Sequence, residues 1–391
     1  MTDRPRGGLA ALCIAQVTSW GLLYYSLPVA VPRIADDTGW SHTTITAALT
    51  IGLIVSAVAG LRVGKLLDAT GPRRLMTGGS LAGVLALLLV AWSPNIVWFY
   101  VAWLVAGLAQ SAVLYPPAFA VITRWYGPQR VRPLTTLTLI GGLASTIFAP
   151  IVAYLIEQFG WRTSYVSMVI ILGVITVPLH IFFLNGQWSD ASAATESQKD
   201  KAQNRNAVRE VTRSPRFIIL TTMMAVAAFA LFAVTINIVP LAMERGMAYS
   251  TAALTLGLVG AGQVVGRLGY GSLSRSTTPR QRTMLIYGAG AVSLLALAVV
   301  PEPGWLIITM AVFAGAARGC HTLLQTTAVA DRWGTKNFAE INATLNAPIT
   351  ALSALAPVTG PALAAAFGSY TLMAILMAGL LVLVTVASSK T

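Results

Sequence analysis

Residues 64–74 read GKLLDATGPRR. The segment is a knot of charge and turn-formers, with Lys65, Asp68, Arg73 and Arg74 around a Thr-Gly-Pro break. On either side lie apolar runs, 43–63 and 75–93. Each is near the ~20 residues that a helix needs to cross the hydrocarbon of a bilayer. A short charged turn between two such runs predicts a hairpin of spanning helices.

Working outward, the pattern repeats. Apolar runs fall at 9–31, 96–122, 134–156, 163–184, 217–240, 251–273, 283–300, 304–327, 339–362 and 369–387. Breakers such as SPN (93–95), YGPQR (126–130) and TTPRQR (277–282) separate them. Composition agrees: 56% of the 391 residues are hydrophobic, 10% are charged, and mean hydropathy is +0.72. Soluble domains carry about 25% charged residues, so the solvent for this chain is a bilayer. We expect an all-α membrane protein of twelve transmembrane helices.

The net charge of +13 does not point to nucleic acid, because the basic residues sit in the gaps. With both termini inside, only Arg33, Arg162 and Arg245 fall on outer segments, and Arg267 and Arg318 fall within helices. The other 21 of the 26 basic residues fall on inner segments. That asymmetry predicts cytoplasmic termini, and the membrane we expect is a bacterial inner membrane. Cys13 and Cys320 sit in apolar runs and read as small core residues.

The chain repeats itself. AVITRW (120–125) recurs as AVADRW (328–333), AALTIGL (47–53) as AALTLGL (252–258), and VPRIADDTGW (31–40) matches VPLAMERGM (239–247). The offset is 205–208 residues, so we expect two pseudo-symmetric six-helix bundles, 1–184 and 217–391. A polar cytoplasmic linker, 185–216, would join them. Repeats of this kind suit a transporter whose halves rock about a central site.

At this point the chain resembles the major facilitator superfamily. Gly64, Asp68, Gly71, Arg73 and Arg74 match its cytoplasmic signature, which the resemblance implies is a conformational latch. The corresponding loop of the second half, GRLGYGSLSRSTTPRQR (266–282), keeps glycines and basic residues but lacks the acid. Within the superfamily the chain is similar to the monocarboxylate-porter branch. The resemblance rests on SWGLLYYSLPVAVPRIADDTGWS (19–41) and GQVVGR (262–267). In that branch an acid precedes the arginine by four residues, and here Gln263 stands in its place.

None of the thirteen acidic residues falls mid-helix. Charge inside a bilayer is costly and faces a cavity as a rule, so Arg267 and Arg318 predict an electropositive cavity that takes an anion. A guanidinium grips a carboxylate with two parallel bonds. Gln263 lies one turn before Arg267, and Arg318, His321 and Gln325 are spaced to share one face of the tenth helix. His321 is the candidate for proton coupling. Tyr24, Gln110, Tyr115 and Asn346 are further candidate substrate-lining residues, beside Gln16 and Trp20, which with Tyr24 follow a four-residue spacing on the first helix. The structural alternatives are packing or interfacial roles for the aromatics, a hydrogen-bonded core role for His321 and a structural role for Arg318.

We therefore expect a monomeric secondary transporter of a small organic anion, a monocarboxylate first, with a proton as candidate co-substrate. The alternatives are a dicarboxylate or oxyanion exchanger using both arginines, a hydrophobic-compound efflux pump, and a receptor that binds without translocating. No enzyme activity, cofactor, metal or nucleic-acid partner is expected, since there is no CxxC, HExxH or phosphate-binding loop.

Overall fold

The computed structural model describes residues 5–186, 188, 207–300, 304–334 and 337–388. Most of the expected linker, at 187 and 189–206, lies outside these residues, as do Arg4, Lys336 and Lys390 of the inner basic set. Among the described residues every regular element is helical, and ten helical runs are long and apolar enough to cross a membrane.

Two of the ten are too long for one crossing. His42–Ala91 has 50 residues and Val131–Phe183 has 53. At about 1.5 Å per residue either would measure about 75 Å, against a hydrocarbon core of about 30 Å. Each is broken by one glycine, Gly71 (φ 76°, ψ 166°) and Gly160 (φ 72°, ψ 162°). An L-residue with a side chain rarely adopts such angles. The expected linkers around 64–74 and 157–162 thus shrink to single residues, because helix propagates up to each glycine and resumes after it. Twelve spanning helices result.

We number them in chain order. In the first six, α1 is Gly8–Thr38, and α2 and α3 are residues 42–70 and 72–91. The fourth, α4, is Ile96–Val113 continued by Tyr115–Tyr126. Helix α5 is Val131–Gly141 continued over 144–159, and α6 is 161–183. A short helix, 207–213, falls within the expected linker. Helix α7 is Pro215–Ile236 continued by Ile238–Glu244. Then come α8 (Tyr249–Ser276), α9 (Pro279–Val299), α10 (Gly304–Trp333), α11 (Phe338–Phe367) and α12 (Tyr370–Ser388). Polar side chains cap several starts. Ser41, Asn95 and Ser214 accept from the N–H three residues on, and Thr278 and Gln281 form a capping box.

Internal contacts gather the chain into two compact units, Met1–Ala191 with Ala248–Gly260, and Ser192–Met247 with Ala261–Thr391. Within the first, Tyr249 donates its hydroxyl to the Val29 carbonyl (3.0 Å) and Thr146 donates to Gly257 (2.8 Å).

Each unit ties three helix ends together at its expected outer side. In the first, Asp37 of α1 accepts from Trp161 Nε1 (2.8 Å) and Arg162 Nη1 (3.1 Å) at the start of α6. Arg162 also donates to the Ser93 carbonyl just past α3 (3.1 Å). In the second, Glu244 of α7 accepts from Ser369 Oγ (2.6 Å) and from the N–H groups of Tyr370 (2.6 Å) and Thr371 (3.0 Å), capping α12. Arg245 donates to the carbonyls of Ala298 and Val300 at the end of α9. A carboxylate thus meets a helix start and a guanidinium meets the carbonyls of a helix end, as the helix dipoles favour.

Burial pushes the Glu244 carboxyl up, but the hydrogen bonds from Ser369, Thr371 and Tyr370 outweigh it, so the group titrates below its ordinary value of 4.5. A depressed folded value means stabilisation that is present above the unfolded value and lost as pH falls through the folded one. Thermal unfolding of wild type and Glu244→Gln should therefore differ at pH 6, with the gap closing as the pH falls below about 4.5. A gap unchanged at low pH would show that the charge has no part in the cap.

Candidate functional site

The second unit holds GQVVGR at a joint between α8 and α10. Gly262 and Gly266 sit on the carbonyls of Val312 and Ala316. A methyl group on either glycine would lie 2.2 Å from the carbonyl oxygen it faces. Gly319 of α10 meets the Gln263 carbonyl in the same way (2.2 Å). Small residues at i, i+4 let the two backbones touch. Cys320 adds a bond from Sγ to the Gly266 carbonyl (3.2 Å). The contact fixes the register of Gln263 and Arg267, each directly after a contact glycine. Gln263 is buried and Arg267 half-buried.

On α10, Arg318 donates to Thr235 Oγ1 of α7 (3.0 Å) and lays its guanidinium carbon 4.2 Å from the Phe232 ring centroid. Both partners are neutral. His321 turns instead toward α9, with Nδ1 3.2 Å from the Tyr287 hydroxyl, and only 4% of it is exposed. Gln325 donates to Asn346 of α11, whose amide donates to the Asn342 carbonyl (2.6 Å). The three residues keep the one face of α10 that their spacing implies, yet they reach three different neighbours. Positions three and four apart diverge by about 60° and 40° on a helix. Arg318 and Gln325 point within about 20° of each other but stand about 10 Å apart along the axis.

The first unit places Tyr24, Tyr115 and Gln110 together around two irregularities. Helix α1 loosens into a π turn over Gly21–Tyr25, and α4 breaks at Leu114, before Pro116 and Pro117. The π turn corrects the even four-residue spacing expected for Gln16, Trp20 and Tyr24. Such breaks strip carbonyls of their helical donors. Gln110 donates to the Leu23 carbonyl (2.8 Å), and Gln16 donates to the Val113 carbonyl. Gln110 is wholly buried; its amide N–H braces backbone, while its Oε1 accepts from no described residue. Trp20 packs edge-on to Tyr24 (5.1 Å) and tilted on Tyr115 (5.1 Å), and Tyr115 stacks on Phe119 (5.1 Å, 14°). Tyr24 is closed off, while Trp20, Tyr115 and Phe119 are partly exposed.

At the other end of the same unit, Asp68 pairs with Arg124 of α4 (3.3 Å) and its carbonyl accepts from Trp188 Nε1 (3.1 Å). The Arg124 guanidinium also lies over the Trp188 ring (4.2 Å). Arg73, Arg74 and Gly64 are exposed, and Gly71 supplies the break. In the second unit an acid does serve the equivalent loop. Asp331 of α10 pairs with Arg282, which also donates to Ser274 Oγ (2.9 Å) and covers the Tyr270 ring. The sequence loop lacks that acid because it arrives from a helix 49 residues further on.

Comparison with known proteins agrees with this architecture. The profile described as Major Facilitator Superfamily matches residues 12–346. Mouse (Mus musculus) "Monocarboxylate transporter 11" is 23% identical over 321 residues, 78% of this chain and 70% of that protein. The Mycobacterium tuberculosis "Multidrug resistance protein B homolog" is 30% identical over 135 residues, 34% of this chain and 25% of that protein. A crystal structure of a bacterial homologue of the human lysosomal transporter Spinster superposes with TM-score 0.79 at 16% identity, covering 98% of this chain and 96% of that one. Twelve spans, a match running from α1 into α11 and a shared fold together show that the chain is a multi-pass membrane protein belonging to the Major Facilitator Superfamily.

Proposed function

We propose that this transporter moves a small organic anion, a monocarboxylate first, by alternating access in a bacterial inner membrane with both termini cytoplasmic. The observation that carries the reading is Arg318, a half-buried cation in a spanning helix whose hydroxyl and ring partners are neutral. A cation so placed favours an anion beside it. Arg267 lies on the helix joined to α10 through glycine, and we assign it the carboxylate, with Gln263 orienting it. Trp20, Tyr24 and Tyr115 shape the first unit's contribution, and Asn346 holds Gln325. The Asp68 cluster with Gly64, Gly71, Arg73 and Arg74 is the proposed latch, and His321 the proposed proton partner of a monomeric carrier. The likeness to a monocarboxylate transporter supports the substrate class. The two cations also favour a second reading, a dicarboxylate or oxyanion exchanger.

The test is a thermal-stability screen of purified protein against small acids, repeated with Arg267→Gln and Arg318→Gln. Lactate-type acids should raise the melting temperature of wild type. Arg267→Gln should weaken the apparent affinity about 10- to 100-fold, the worth of one charged hydrogen-bonded grip. A stronger response to malonate or oxalate, lost in either variant, would favour the exchanger. If no acid stabilises wild type, or Arg267→Gln responds equally, the anion reading fails.

A further inference from the structure

The base of the second unit buries more positive charge than it neutralises. Arg282 is 3% exposed and pairs with Asp331. Arg332, the next residue along α10, donates through Nη2 to Thr283 Oγ1 (3.2 Å). It lies close enough to Arg282 for the two cations to repel, and Asp331 is within reach of its charge as well. Two guanidiniums thus share one carboxylate. Three of their N–H groups are buried and meet no acceptor among the described residues: Arg282 Nε, Arg332 Nε and Arg332 Nη1. A buried N–H without an acceptor is costly, more so when it belongs to a cation.

We propose that this cluster is an anion site distinct from the transport site, and that it takes a small inorganic anion such as chloride. One negative charge would balance the excess cation. The orphaned donors are sequestered from solvent, so a compact monovalent ion suits the place and a carboxylic acid with an organic body does not. The Thr283 hydroxyl is spent, since it accepts from Arg332 and donates to the Pro279 carbonyl (2.7 Å), so the orphaned guanidinium N–H groups make the shell. Arg267 and Arg318 lie further up α8 and α10 and take no part.

The test compares thermal unfolding of the full-length protein at fixed ionic strength and pH, with chloride replaced stepwise by bulky isethionate. Wild type should gain a saturable shift of about 2–4 °C with chloride. Arg332→Gln should lose the shift, whereas Arg267→Gln should keep it. Asp331→Asn, which raises the excess positive charge, should enlarge it. Should Arg332→Gln fail to fold, Asp331→Asn and wild type still decide the matter. Equal melting in chloride and isethionate for both would overturn the site and leave ordered water as the partner of these donors. A chloride shift lost in Arg267→Gln and kept in Arg332→Gln would assign the ion to the transport site and overturn the proposal equally.

Discussion

Gly266→Val should destabilise the protein by about 3 kcal/mol, the upper range for overpacking, and reduce the yield of monodisperse protein. The methyl carbon nearest the backbone would stand 2.2 Å from the Ala316 carbonyl oxygen. That neighbour is backbone of another helix and has no rotamer to change. Relief requires α8 and α10 to part along the face that Gly262 and Gly319 also use. Parting would also move Arg267, one residue away, so any substrate affinity should fall more than stability alone accounts for. Gly269→Ala is the control. It sits one turn on in the same helix, and a Cβ there meets nothing within 4 Å. It should be neutral or stabilise by about 0.5–1 kcal/mol through helix propensity. Thermal unfolding of both variants in one detergent decides the question. Equal melting temperatures would show that the glycine joint is slack.

The helices were legible because a bilayer imposes a length and a polarity on each crossing. The runs at 43–63 and 75–93 anticipated α2 and α3, although the turn between them proved to be Gly71 alone. What escaped was any contact between segments distant in sequence. Hydropathy places Arg282 in a loop and Asp331 at a helix end, but their pairing depends on how α9 and α10 lie side by side. The same holds for Arg318, whose partners Phe232 and Thr235 lie on α7. Gln110 was ambiguous for a different reason. A glutamine in an apolar helix is equally consistent with lining a cavity and with repairing broken backbone. The π turn at Gly21–Tyr25 supplies the carbonyl that its N–H takes. A signal for that repair was present in the sequence, since Gln110 precedes the Tyr-Pro-Pro break by five residues.

The Arg282–Asp331 pair should respond asymmetrically to mutation. Asp331→Ala leaves a guanidinium that is 3% exposed with Ser274 and the Tyr270 ring as its remaining partners. Removing one member of a buried pair costs about 3–5 kcal/mol, because the other charge stays desolvated. The neighbouring cation, Arg332, worsens the balance. Arg282→Leu is milder, because the Asp331 side chain is 27% exposed and can recover water, and leucine refills much of the volume. We expect that loss to be about 1 kcal/mol, within the range for a partly exposed pair. The double variant, Arg282→Leu with Asp331→Ala, should then be more stable than Asp331→Ala alone, since the stranded charge is gone. This ordering separates a charge effect from a packing effect. If the cluster mattered only through packing, the double variant would be the least stable of the three, and the two single losses would add. Melting temperatures of the four proteins, measured together at neutral pH, read the cycle directly.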